Sequence, residues 1–201
     1  MSYAGTSPNI IKDLAGNALA TFTARSADTF LSSATVTSLY SDYTNLTLTG
    51  TSAINGTGNA KSNTITGNPG NNLINGGLGN DILTGGTGSD TFRFDSVLNG
   101  TSNVDRITDF TPTAVSTTTD RLQLENTGTG LFTAITTTGT LAANAFISGN
   151  AFTNTTQRIR YDGATGNLFY DADGSGTAQA SILFATLSTG LTINNTHFQV
   201  T

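Results

Sequence analysis

The chain has 201 residues, 13 acidic against 8 basic side chains, a formal net charge of -5, no cysteine and a single histidine. Without thiols it has neither disulfide staples nor a cysteine nucleophile, and its acidic balance argues against nucleic acid or an anionic membrane as a partner. No apolar run approaches the roughly 20 residues that a membrane span needs.

Composition divides the chain into residues 1–27, 28–94 and 95–201. The first stretch, MSYAGTSPNIIKDLAGNALATFTARSA, has neither a basic n-region nor an apolar h-region. A classical secretory signal is therefore not expected, and export would use another address. Within it, IKDLAGNALATF resembles the closing portion of the immunoglobulin-like repeats of very long bacterial surface proteins. That resemblance implies the tail of a preceding repeat, and so the end piece of a larger protein. The residues equally allow a short strand and turn capping a solenoid.

The second stretch contains the most specific signal. Residues 76–93 read GGLGNDILT and GGTGSDTFR, two adjoining copies of G-G-x-G-x-D-x-U-x with U a large apolar residue. This pattern builds a calcium-bound parallel β-roll. Gly76, Gly77, Gly79, Gly85, Gly86 and Gly88 supply turn conformations and close backbone approach. Asp81 and Asp90 add carboxylates, and Leu83 and Phe92 point inward from short strands. Reading backward at the same period gives GNPGNNLIN at 67–75 and GNAKSNTIT at 58–66, where Asn72 and Asn63 replace the aspartates and Ile74 and Ile65 keep the inward slot. Consecutive copies lie on opposite edges, so Asp81 is expected over Asn63 and Asp90 over Asn72. Each pair offers one carboxylate and one amide oxygen, a weaker calcium site than two aspartates. A flexible glycine-rich linker would not repeat an apolar residue every nine positions. The preceding DTFLSSATVTSLYSDYTNLTLTGTSAINGTGNAKSN resembles the run ahead of the glycine-rich repeats in secreted repeats-in-toxin proteins. Its inward residues are expected to be Phe30, Val36, Leu39, Leu46, Leu48 and Ile54. A roll of few turns leaves both ends open, so its flanks should cap it.

The third stretch has no nonapeptide. Its D-x-F-x-F (Asp90, Phe92, Phe94), D-x-I-x-D-F (Asp105, Ile107, Asp109, Phe110) and D-x-L-x-L (Asp120, Leu122, Leu124) resemble the stretch just after the roll in the repeats-in-toxin C-terminal domain, as in serralysin-type proteases. By that resemblance Asp105 and Asp109 help complete the last calcium site; as bare residues they equally cap turns and strand ends. Further on, RIRYDGATGNLFYDADGSGTAQASILFATL reads as a β-meander with Ile159, Tyr161, Leu168 and Tyr170 inward. DADGSG sets Asp171, Asp173, Ser175 and Gly176 at positions one, three, five and six of an EF-hand-like loop, yet position twelve is Ile182 instead of the bidentate glutamate. The loop is either a calcium site or a hairpin whose aspartates cap amides. The end, LSTGLTINNTHFQVT, resembles the uncleaved signal of type I secretion substrates, although His197, Phe198, Gln199, Val200 and Thr201 depart from the usual acidic-Phe-apolar ending. His197, lacking a second histidine, is expected on a strand surface.

The fold class expected is all-β, a parallel β-roll followed by a β-sandwich-like capping segment. Catalytic sets are absent from the sequence: one histidine cannot write H-E-x-x-H, and G-x-S-x-G does not occur. The chain is therefore expected not to be an enzyme. Its expected function is that of a calcium-binding module, extracellular, that orders on meeting Ca2+ and carries a type I secretion address at the end of a larger secreted or surface protein. The alternative is a structural subunit or adhesin of a calcium-dependent surface layer or filament. Expected partners are calcium, the type I secretion machinery and, for the alternative, further copies of the chain or cell-surface glycans; a third reading takes the T-x-T runs Thr47–Thr49 and Thr64–Thr66 as a flat ice- or sugar-binding face.

Overall fold

The computed structural model describes residues 11–12, 18–20, 29–112, 119–128 and 131–201. The expectation for residues 1–27 lies outside the described residues, apart from an antiparallel pair formed by β1 (Ile11–Lys12) and β2 (Ala18–Ala20).

From residue 29 the chain winds in coils; after two successive strands on one sheet, its short strands alternate between two sheets. The strands are β3 (Thr29–Ser32), β4 (Asn45–Leu48), β5 (Gly56–Thr57), β6 (Thr64–Thr66), β7 (Leu73–Asn75), β8 (Ile82–Thr84) and β9 (Thr91–Phe94). In the three-residue strands the middle side chain points inward, as the two-residue period of a strand requires. Ile65, Ile74, Leu83 and Phe92 are each 0% exposed. At about 1.5–3 kcal/mol per fully buried side chain, these four supply most of what a coil has to hold it shut. Registers are strict: Phe30 lies beside Leu46, Leu46 beside Ile65, and Ile65 beside Leu83 on one sheet. On the other sheet Gly56 lies beside Ile74, and Ile74 beside Phe92. Val36, Leu39, Leu48 and Ile54 are buried among them.

Both sheets run on beyond the nonapeptides. β10 (Asp105–Ile107) adds parallel to β8, and β11 (Arg121–Leu124) adds parallel to β9. The remaining strands are β12 (Gly139–Thr140), β13 (Phe146–Ser148), β14 (Ile159–Asp162), β15 (Asn167–Tyr170), β16 (Ile182–Thr186) and β17 (Phe198–Val200). The nine-stranded sheet has the order β13-β14-β15-β16-β10-β8-β6-β4-β3 and the six-stranded sheet the order β12-β17-β11-β9-β7-β5. All pairs from β3 to β16 and from β5 to β17 are parallel, and antiparallel pairing begins only at β15 and β12. The fold is an all-β parallel β-roll.

The capping strands keep the two sheets face to face through aromatic contacts across the gap. Phe94 of β9 meets Phe184 of β16 edge-on at 5.2 Å between ring centroids, and Phe132 packs on both Phe184 and Tyr170 at 5.0 and 5.1 Å. Two residues sit deeper than their chemistry suggests. Arg160 is 7% exposed, its guanidinium 4.0 Å from the Phe169 ring centroid and its Nη1 donating to the Gly149 carbonyl. The ring face and the carbonyl make that burial tolerable. His197, expected at the surface, is also 7% exposed: its Nε2 contacts the Pro112 carbonyl oxygen and its Nδ1 accepts the Asn194 N–H at 3.1 Å. One imidazole thus ties the start of β17 to the turn between β10 and β11.

Candidate metal centre

The turns that connect the strands stack at the two edges of the roll. Along one edge lie residues 58–63, 76–81 and the longer turn ending at Asp105; along the other lie 67–72, 85–90 and the turn ending at Asp120. Glycine is required where coils approach most closely. Gly79 has φ of 117°, and a Cβ there would lie 2.5 Å from the Lys61 carbonyl oxygen of the coil below. At Gly76 a Cβ would collide with Asp81 Oδ2, and Gly85 stands in the same relation to Asp90. Gly77, Gly86 and Gly88 share the positive φ.

The sixth positions form two ladders. Asp81 Oδ1 accepts the Asn63 N–H at 2.7 Å, and the Asp81 N–H donates to Asp105 Oδ1 at 3.1 Å. On the other edge Asp90 Oδ1 accepts the Asn72 N–H at 2.8 Å, and the Asp90 N–H donates to Asp120 Oδ1 at 2.9 Å. Asp109 closes over the 85–90 turn, its two oxygens accepting the Gly85 and Gly86 N–H groups at 2.9 and 2.8 Å. The structure therefore sets Asp81 over Asn63 and Asp90 over Asn72, with Asp105 and Asp120 as the next rungs. Asp120 is the residue that sequence reasoning passed over. The signal was present, because D-x-L-x-L repeats the aspartate-to-apolar spacing of D-x-F-x-F, but the intervening turn grows from 18 residues between rungs to 30.

Burial leaves these carboxylates short of partners. Asp81 and Asp90 are each 1% exposed, and Oδ2 of each is buried without a hydrogen-bond donor. Loss of hydration pushes the Asp81 carboxyl up to about 6 against the pull of the Asn63 N–H. Asp90 is likewise pushed up to about 6, first by burial and then by the charges of Asp120 and Asp109. Asp105 lies well above the usual carboxylate range through burial and the nearby Asp81 charge, and burial also raises Asp120. A bound divalent cation would reverse that logic by favouring the ionised form.

The donor set fits a hard, oxygen-seeking ion. Among the described residues no three or more His, Cys, Asp and Glu side chains converge on one point, so an ion here must draw on backbone carbonyls and amide oxygens as well. Calcium accepts such mixed oxygen shells. The carbonyl oxygen of Gly76 crowds beside Asn63 Oδ1 at the bare Cα of Gly58, and that of Gly85 beside Asn72 Oδ1 at Gly67. Bound there, calcium would supply positive charge to the orphaned aspartate oxygens and link neighbouring coils.

Asp171 and Asp173 lie apart from these ladders, in the loop between β15 and β16. Asp171 Oδ1 accepts the Asp173 N–H, and Asp173 Oδ2 accepts the Ala178 and Gln179 N–H groups, while Asp173 Oδ1 is buried without a partner. The Asn154 carbonyl accepts the Ser175 N–H at 3.0 Å, and a Cβ at Gly174 would meet the carbonyl oxygens of Asn154 and Gln157. No helix among the described residues is long and apolar enough to cross a membrane.

A stack of parallel strands with glycine-aspartate turns defines a calcium-binding β-roll. The family comparison gives it a particular kind: residues 57–92 match the RTX calcium-binding nonapeptide repeat, in four copies. This part of the chain is an RTX hemolysin-type calcium-binding domain, and its repeats bind Ca2+. No curated protein matches the chain.

Proposed function

We propose that the chain is a module whose roll orders when calcium reaches it. The ligands assigned are Asp81 and Asp90 with Asn63, Asn72, Asp105, Asp109 and Asp120, and the backbone of Gly76, Gly77, Gly79, Gly85, Gly86 and Gly88. Residues 28–94 serve as the roll and 95–201 as its cap. The observation carrying this reading is the pair of buried, donor-free oxygens, Asp81 Oδ2 and Asp90 Oδ2, held against glycine backbone inside matched calcium-repeat sequence. Without the ion, facing carboxylates repel, and a chain with 23 glycines loses much entropy on ordering. One site at ten times its Kd contributes about 1.4 kcal/mol. Two such sites are a large share of the roughly 5–15 kcal/mol that holds a domain together.

The module suits passage through a type I secretion channel at low calcium with its aspartate coils unordered, followed by their closure outside, where calcium is plentiful. Circular dichroism in chelator and then in millimolar calcium tests this: strand signal should grow with the metal, and a signal indifferent to it would remove the switch. A structural or adhesive role is the second reading, favoured by a row of threonines in register on the outer face of the larger sheet. Thr47 lies beside Thr66, Thr66 beside Thr84, and the Thr84 and Thr108 hydroxyls are 2.7 Å apart. Such a flat polar row suits glycans or further copies of the chain. Electron microscopy with and without calcium separates the readings, ordered arrays favouring assembly and dispersed particles the secretion module.

A further inference from the structure

The sixth position of each nonapeptide faces two coils, one before it and one after. An aspartate presents acceptors to both, so each interface it faces needs N–H donors or a cation. An asparagine has one oxygen and one NH2, and in this roll the two ends are consistently sorted. Asn63 Nδ2 points toward the preceding coil and donates to the Thr44 carbonyl at 3.3 Å and to Asn59 Oδ1 at 3.2 Å. Asn72 Nδ2 does the same toward the Ile54 carbonyl at 2.5 Å and Asn68 Oδ1 at 3.1 Å. Their oxygens accept the Asn59 and Asn68 N–H groups, beside the carbonyls of Gly76 and Gly85 in the next coil.

The second position of the repeat takes part. Asn59 Nδ2 donates to the Tyr40 and Tyr43 carbonyls at 3.0 and 2.9 Å, and Asn68 Nδ2 to the Thr49 and Ser52 carbonyls at 3.1 and 2.9 Å. The aspartate coils have Gly77 and Gly86 at that position, with no side chain to donate. Positions two and six therefore change together, from Asn and Asn to Gly and Asp. Where both are asparagine, carbonyl oxygens of the coil before are met by three amide N–H bonds per interface. Where they are glycine and aspartate, the sixth-position Oδ2 is buried and has no donor.

We propose that the paired asparagines terminate the calcium ladder. The interfaces between residues 40–44 and 58–63 and between 49–54 and 67–72 are closed by side-chain amides and take no cation. Calcium enters only from the interfaces of Asn63 with Asp81 and Asn72 with Asp90 onward. This rests on the calcium reading of the aspartate coils and divides the roll in two. Its N-terminal coils keep their stacking without metal and hold the register against which the aspartate coils close when calcium arrives.

Hydrogen exchange by mass spectrometry on the full chain, in chelator and at calcium ten times Kd, tests the division. Amides of β8 to β11 should exchange about tenfold more slowly with calcium for each site they depend on, while those of β3, β4 and β5 change little. Asn63→Asp combined with Asn72→Asp puts carboxylates against carbonyl oxygens, so exchange in β3 to β5 should speed up in chelator and slow again with calcium. Asn59→Ala, which adds no charge, should speed it up in both conditions. If β3 to β5 of the unaltered chain respond to calcium as strongly as β8 to β11, the amide closure is overturned and the calcium reading stands. If β8 to β11 do not respond at all, that reading itself falls. Should the double variant not fold, the unaltered chain and Asn59→Ala decide between these outcomes.

Discussion

At the residue scale, the weight falls on Asp90 and Asp81. Asp90→Ala removes a buried oxygen that no N–H satisfies but also the acceptor of the Asn72 N–H, so in chelator the relieved acceptor and the orphaned donor offset each other and stability should change little. In calcium it should remove the roughly 1.4 kcal/mol that one site contributes at ten times its Kd. Melting with and without the metal checks this, and a variant that keeps the full calcium-induced rise contradicts the assignment. The pH response has a definite sign. Asp81 and Asp90 are raised by burial from 3.8 to about 6 in the metal-free fold, so that fold favours their protonated forms. This contribution is complete below about 4 and is lost as pH rises through 6. In chelator the melting temperature should therefore rise between pH 7.5 and pH 5, whereas calcium affinity should fall over the same window as protons compete for the same oxygens. Melting and calcium titration at the two pH values measure both slopes, and a metal-free melting temperature that falls toward pH 5 would contradict the burial of these carboxylates.

At the element scale, the nine-residue unit explains why some of this structure is legible in the sequence and some is not. Glycine, aspartate and one inward apolar residue recur at fixed positions, so strand, turn and ligand are all written within the repeat, and Leu83 and Phe92 are fully buried as the pattern requires. Once the turn lengthens, periodicity fails. Asp120 is a rung on the same ladder as Asp90, yet 30 residues separate them, and only packing of β11 on β9 aligns the two. Arg160 and His197 escape for a different reason: their burial depends on partners distant in sequence, Phe169 and Gly149 for one and Pro112 for the other. Glycine positions are the opposite case, since the demand is local to one coil contact. Gly79→Ala forces a Cβ toward the Lys61 carbonyl at a φ of 117°. It should cost about 1–3 kcal/mol, read as a lowered melting temperature in saturating calcium, and an unchanged one would mean that coils at this edge do not stack so closely.

At the scale of the whole molecule, the last strand decides whether calcium is sufficient. β17 is the only described partner that β12 has, and it covers the outer side of β11. Phe198 and Val200 are each 1% exposed, Phe198 lying beside Leu122 and Val200 beside Leu124. Removing residues 195–201 therefore takes away two buried side chains worth about 1.5–3 kcal/mol each, the hydrogen bonds of the parallel β11–β17 edge, and the His197 link to the turn that carries Asp120. Against this, raising calcium tenfold at a filled site adds only about 1.4 kcal/mol. The aspartate coils of the truncated chain should thus remain open at calcium concentrations that fold the full chain, with a reduced strand signal by circular dichroism and fast exchange through β9 and β11. The aspartate coils are bounded on both sides, by the amide-closed coils before them and by the β17-covered edge after them, and the ion draws them together only where that second edge exists. Folding of the truncated chain at the same calcium concentration would place the cap elsewhere and leave the C-terminal residues with no structural part in the switch.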